Sequence, residues 1–185
     1  MIKSYFFLSR LSSELSSRIK GKTIIDIYTS KKDTLFLNLY DGEEFTLEIC
    51  VNHSLPNIQI IESAKRKKRN SLDIFSEIKN LKFSDVFIAK NDRVLLFQIE
   101  NEISLFFTIR GKFTNVYLLN DENLFSFKKI SNEELEIIKS EFLTLDFVKP
   151  LSMPEFTEED YLLNILELRI KYPIISKEIL ESISI

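Results

Sequence analysis

The side chains in this chain that can do chemistry are cations and the groups that hold them, with few nucleophiles among them. Asp92 and Arg93 stand together where a strand-like run begins, and Arg110, Lys112 and Asn115 surround Gly111 at the end of the next run. Five consecutive basic residues, Lys65, Arg66, Lys67, Lys68 and Arg69, come earlier. An arginine fork grips a phosphate bidentately or stacks on a base, and lysine meets phosphate as a point charge. That chemistry suits RNA. Each group also has a plainer reading. Asp92–Arg93 is then an exposed turn ion pair worth about 0.2–1 kcal/mol. Arg110, Lys112 and Asn115 become a solvated hairpin end. The five-residue run becomes an exposed, self-repelling and mobile loop.

Other chemistries have little to work with. The chain has one histidine and one cysteine. His53 and Cys50 lie near each other, but strand alternation sends Cys50 to a core, so no Cys–His catalysis is expected. A lone cysteine excludes an internal disulfide, and this donor set does not make a zinc site. No enzyme activity, cofactor, metal or small-molecule substrate is expected. No apolar run approaches the roughly 20 residues of a membrane helix. The opening, MIKSYFFLSRLSSEL, reads as an amphipathic helix and not a signal peptide, so a cytoplasmic protein with no membrane partner is expected. The net charge of −3 divides unevenly: residues 1–130 carry 20 Lys/Arg against 16 Asp/Glu, and residues 131–185 carry 5 against 12. Nucleic acid would favour the first part.

The elements that must position these residues centre on the stretch from Ile88 to Leu119. Val94–Ile99, Ile103–Ile109 and Phe113–Leu119 are rich in β-branched and aromatic residues and fold back and forth as strands. Leu95, Phe97 and Ile99 form one face and Val94 and Leu96 the other, so the sheet needs cover on both sides. Gly111 marks a return where positive φ is useful. Upstream, the spacing predicts a helix over Ser4–Lys20 with Phe7, Leu11, Leu15 and Ile19 as its stripe, ended by Gly21. Strands follow over Thr23–Tyr28, Thr34–Tyr40, Glu44–Val51 and Asn57–Ile61, then a Ser71-capped helix over Leu72–Ile78. Shifting the chain by 59 residues lays Ile19–Leu37 over Ile78–Leu96, with Asp33 over Asp92. The predicted fold is α+β: an internally duplicated β-sandwich or pseudobarrel with flanking helices. Ser131 and Glu134 form a capping box that starts a helix over Asn132–Ser140. Pro150 to Pro154 reads as a linker, followed by helical stretches over Glu158–Arg169 and Ser176–Ile183. Two parts are expected, 1–150 and 151–185.

An Asp-Arg pair opening one strand, then Arg-Gly-Lys-x-x-Asn-Val-x-Leu-Leu around the next, resembles the N-terminal domain of NFACT proteins. This family includes ribosome quality-control factors of the RqcH type and proteins labelled fibronectin-binding protein A. The resemblance reaches back over Leu15–Leu39 and covers most of the first 130 residues. It implies binding to tRNA and to the large ribosomal subunit through its rRNA, in support of untemplated tailing of stalled nascent chains. The resemblance would put RNA contacts on Asp92, Arg93, Arg110 and Lys112, with Asp92 orienting the Arg93 guanidinium; Asn115 and the Lys65–Arg69 run are RNA candidates by residue type and charge alone. It also implies that residues 151–185 open a helix-hairpin-helix region. Three departures matter. Relatives usually carry a proline-rich segment before a helix with Leu-Arg-Lys, where this chain has Arg69-Asn70-Ser71 and then Ser76-Glu77-Ile78-Lys79, so family contacts do not transfer there. Lys112 stands where relatives more often have arginine, and Pro56-Asn57-Ile58-Gln59 lacks their Arg and His. A fibronectin-binding surface adhesin is the alternative reading. The family fold also resembles the N-terminal domain of formamidopyrimidine-DNA glycosylases, but the Pro-Glu start those enzymes use is replaced by Met1-Ile2.

Overall fold

A strand that is apolar on both faces must be covered twice. The computed structural model, which describes residues 4–64, 66–67, 69–149 and 158–171, shows the two covers. Helix α1 spans Tyr5–Ile19. Strands β1 Thr23–Lys31, β2 Thr34–Tyr40, β3 Glu44–Cys50, β4 Asn57–Glu62 and β5 Leu72–Asp73 follow. Then come β6 Phe83–Ala89, β7 Val94–Ile99, β8 Ser104–Thr108, β9 Asn115–Asn120, β10 Asn123–Ser126, α2 Asn132–Thr144, β11 Phe147–Val148 and α3 Ile165–Lys171. The strands form two antiparallel sheets, ordered β4-β3-β2-β1-β5 and β10-β9-β8-β7-β6-β11. Leu95, Phe97 and Ile99 join Leu35, Leu37, Leu47 and Ile49 of the first sheet in the main core. Val94 and Leu96 point the other way, packing with Phe106 and Tyr117 beneath Phe142 of α2.

The duplication is visible in the hydrogen bonds. Strand order is equivalent in the two halves, and β5 and β11 add two-residue strands at the same edge of each. Both first strands carry a register shift at the same place, between Ile24 and Asp26 in β1 and between Phe83 and Asp85 in β6. In each, the aspartate accepts the next residue's N–H, from Ile27 at 3.0 Å and from Val86 at 2.9 Å. The halves then cross-bond reciprocally. The Gly21 N–H donates to the Phe83 carbonyl at 2.8 Å and the Asn80 N–H to the Ile24 carbonyl at 2.7 Å. The Ile24 N–H donates to Leu81 at 2.8 Å and the Phe83 N–H to Lys22 at 3.1 Å. Gly21 and Asn80 both take positive φ, +76° and +67°, as this crossing requires. Lys20 reaches Asp85 at 3.1 Å, and Lys79 reaches Asp26 at 2.7 Å. Each half thus lends a lysine to the other half's bulge.

Four expectations need correction. The buried face of α1 is Leu8, Ser12, Leu15 and Ile19, whereas Phe7 is 44% exposed. Ser12 returns its hydroxyl to the Ser9 carbonyl at 2.7 Å, which lets a small polar residue lie against the sheet. Leu72–Ile78 is not a helix: Leu72 pairs with Thr29, Phe75 takes φ +51°, and only a 3-10 turn over Ser76–Ile78 remains. The stretch 158–169 is broken. Asn164 accepts the Leu166 and Glu167 N–H groups and donates its own N–H to Glu167, a reciprocal cap that starts α3 afresh. Finally, Tyr28 faces Phe36 and Phe87 faces Leu96, so the second half's turn is one residue longer. Past it, Asp33 matches Arg93 and not Asp92: the Asp33 carbonyl accepts the Val51 N–H as the Arg93 carbonyl accepts that of Ile109. The proposed linker at 150–154 and the helix over Ser176–Ile183 lie outside the described residues.

Candidate nucleic-acid interface

The two cationic motifs meet because β7 and β8 are hydrogen-bonded neighbours. Val94 pairs with Thr108, and the Ile109 N–H donates to the Arg93 carbonyl at 2.9 Å. Asn91 at φ +60° turns the chain, and Asp92 Oδ1 accepts the Arg93 N–H at 2.6 Å, which opens the strand. The Asp92 carboxylate does not hold the Arg93 guanidinium. It ion-pairs with Arg110, whose Nε donates to Oδ1 at 3.3 Å and whose Nη2 also pairs with Asp92. The same Nη2 reaches Glu141 Oε1 of α2 at 2.6 Å. Burial works against the Arg110 charge, but the hydrogen bonds to Asp92 and Glu141 outweigh it and raise the pKa. Arg110 therefore latches the β6–β7 turn, the end of β8 and α2 together, its charge met by two carboxylates.

Arg93 is half-buried and makes no ion pair or side-chain hydrogen bond among the described residues. Lys112, in the 3-10 turn Gly111–Phe113, is exposed with its amine 4.9 Å from the Phe113 ring centroid. Gly111 takes φ +61° there. Asn115 differs from the expectation. It is 3% exposed, its Oδ1 accepts the Val116 and Lys128 N–H groups, and its Nδ2 donates to the Lys128 carbonyl at 3.0 Å. It fastens β9 to the chain after β10 and has nothing left for RNA.

Within the basic run, Arg66 is held in place. Arg66 pairs with Asp26 at 3.3 Å and Asp73 at 2.8 Å, with its guanidinium 5.2 Å from the Tyr28 ring centroid. The hydrogen bond to Asp73 is the main cause of its raised pKa. Lys79 joins the same two aspartates at 2.7 Å and 3.0 Å. Arg66 is thus a tether over the first sheet. Lys67 and Arg69 are exposed and make no ion pair among the described residues; Lys65 and Lys68 lie outside them.

Several important residues escape a reading by motif. Glu141 lies one residue beyond the helix end expected at Ser140. Lys128 gives its amine to the Val51 carbonyl at 2.5 Å and to Asp33 at 3.3 Å, tying the halves together; the repeat, which singles out Asp33, was the available signal. A cavity of about 450 Å³ opens between the 111–113 turn and α2. Among the described residues no group of three or more His, Cys, Asp or Glu is placed to hold a metal ion, and no helix is long and apolar enough to cross a membrane.

This arrangement is an α+β domain built on a duplicated antiparallel sandwich, with Arg93, Arg110 and Lys112 at one end of the second sheet. Residues 4–138 match the family model for NFACT N-terminal and middle domains, and the chain belongs to that family. Its fold is shared with solved structures. The N-terminal part of the fibronectin/fibrinogen-binding protein from Streptococcus suis superposes with a TM-score of 0.62 at 17% identity, over 89% of this chain and 67% of that one. The N-terminal domain of the fibronectin-binding protein PavA from Streptococcus pneumoniae gives 0.61 at 16% identity, over 96% and 76%. The fibrinogen-binding protein from Staphylococcus aureus gives 0.58 at 14% identity, and this chain spans 60% of its length. No curated protein matches.

Proposed function

We propose that this chain is the RNA-engaging N-terminal domain of a ribosome-associated quality-control factor, holding tRNA and large-subunit rRNA in the cytoplasm while the ribosome supplies the peptidyl-transfer chemistry. One observation carries the reading: where the two family motifs meet, Asp92 neutralises Arg110 and leaves Arg93 without a partner among the described residues. A guanidinium held at a strand end with no protein partner keeps its donors for a ligand. RNA phosphate or a base face is such a ligand. Lys112, Lys67 and Arg69 add exposed charge. Asp92 and Arg110 act as positioning residues. The domain binds and does not catalyse.

The test is tRNA affinity of the whole protein at several salt concentrations. Arg93→Ala weakens binding by about 1–3 kcal/mol, and charge removal at Lys67 and Arg69 flattens the salt dependence. Unchanged tRNA affinity in Arg93→Ala overturns the site. The names of the streptococcal and staphylococcal relatives favour a second reading, capture of fibronectin or fibrinogen. Immobilised fibronectin that retains the protein while tRNA does not compete would support it.

A further inference from the structure

The cavity between the 111–113 turn and α2 is unlike the charged end of the sheet beside it. Its volume, about 450 Å³, lies within the range of roughly 300–1,000 Å³ typical of ligand pockets. Its floor and walls include Ile130, Ile138 and Tyr117, and two apolar side chains stand exposed among its lining residues, Ile137 at 65% and Phe113 at 55%. Both carboxylates that line it are occupied. Glu134 accepts the Ser131 N–H and hydroxyl at 3.0 Å each, and Glu141 holds Arg110 at 2.6 Å. The lining lysines Lys112 and Lys129 make no ion pair among the described residues. Thr114, in the wall and 1% exposed, has a buried hydroxyl without a hydrogen-bond partner.

An occupant of this pocket must be apolar at its centre and negative at its edge. A nucleobase fits poorly. Its face could stack on Phe113 or Tyr117, but its polar edge carries several donors and acceptors, and the lining side chains of Thr108 and Asn115 are already hydrogen-bonded within the fold, so most of that edge would be buried unpaired. We infer that the pocket takes a bulky apolar side chain, leucine, isoleucine or phenylalanine, from an extended acidic peptide. The flanking carboxylates of that peptide meet Lys112 and Lys129. An apolar anchor in a desolvated pocket with a charged rim is a common division of labour in recognition, the anchor supplying affinity and the rim orientation.

The experiment uses the full chain with methyl-labelled isoleucine and fluorescent short peptides in which one phenylalanine is flanked by glutamates. Companion probes replace the phenylalanine with alanine, replace the glutamates with lysines, or consist of a single-stranded oligouridine. The acidic peptide should bind and shift the methyl signals of Ile137 and Ile138. Affinity should fall about tenfold without the anchor, and by at least as much with lysine flanks. Ile137→Glu, at an exposed helix position that tolerates charge without unfolding, should abolish binding. The double change Lys112→Glu and Lys129→Glu should weaken it about tenfold. Binding that ignores the anchor, or no methyl shift with any peptide, overturns the proposal. So does an oligouridine that moves the same methyl signals and displaces the peptide.

Discussion

On the outer face of the first sheet, Tyr28 stacks on Phe36 with ring centroids 5.4 Å apart, and Glu48 lies across from Phe36. The matching residues of the second sheet are Phe87, Leu96 and Phe106. Glu48 is drawn toward Lys31 at 3.6 Å and accepts from Gln59, so a polar strap can cover that face. The strap runs through Ala64, whose carbonyl accepts the Tyr28 hydroxyl at 3.0 Å and whose N–H donates to Thr46 at 2.9 Å. Phe106 instead demands an apolar lid, and Phe142 of α2 stacks on it with centroids 4.2 Å apart. One carboxylate in place of one phenyl ring thus goes with two different covers on the same scaffold. The helical cover brings Glu141 to Arg110 and builds the cavity. The half that carries the candidate site is the half that acquired a helix.

The largest expected effect tests that contrast. Phe142→Ala should cost about 3–5 kcal/mol in chemical denaturation, the usual price of emptying an aromatic site in a core. Glu48→Ala, on the other face, should cost about 1 kcal/mol or less, because its partners are largely exposed. Similar costs for the two would mean that the covers are energetically alike.

The bulge aspartates sharpen the comparison through pH. Burial tends to raise the pKa of Asp85, but the hydrogen bonds from Ser16 and Lys20 and from the Val86 N–H prevail and hold it at about 2. A carboxyl depressed in the folded state stabilises the fold above its unfolded pKa. That stability is lost as pH falls from about 4 toward 2. Asp85→Asn should therefore cost about 1.5–3 kcal/mol at neutral pH, the range for hydrogen bonds to charged groups. Its deficit against the parent should shrink through that window in urea titrations at stepped pH. A deficit independent of pH would assign the cost to packing.

How much of this was legible depends on whether local sequence or tertiary partners decide. Strands β2 and β7 were readable residue for residue, because β-branched and aromatic runs bounded by turn residues leave little choice. The Ser131–Glu134 box was readable because its two residues cap each other. The face of α1 was not, since Ser12 is buried by an intrahelical bond that apolar periodicity ignores. Leu72–Ile78 looked helical because pairing of Leu72 with Thr29 is a long-range fact. Asn115 looked like a surface ligand because its three bonds go to Val116 and to Lys128, a residue no motif links to it. The ion pair within the site was misassigned for the same kind of reason: Asp92 adjoins Arg93 in sequence, but the β7–β8 ladder brings Arg110 within reach.

The smallest effect on stability is expected where the two halves differ most in charge. Asp33 and Arg93 occupy matching backbone positions, yet Asp33 is paired with Lys128 at 3.3 Å and Arg93 has no side-chain partner among the described residues. Removing a paired group should cost more than removing an unpaired one. Asp33→Ala should lower stability by about 0.5–1 kcal/mol, and Arg93→Ala by no more than about 0.5 kcal/mol, within the usual range for surface substitutions. RNA should reverse the ranking. A residue whose charge is spent inside the fold has little to offer a ligand, so Asp33→Ala should leave tRNA affinity unchanged while Arg93→Ala weakens it. Thermal unfolding and tRNA titration of both variants, side by side, decide the matter. If Arg93→Ala unfolds the domain while affinity per folded molecule holds, the arginine is a structural group, and the extra residue in the second half's turn serves the fold and not the ligand.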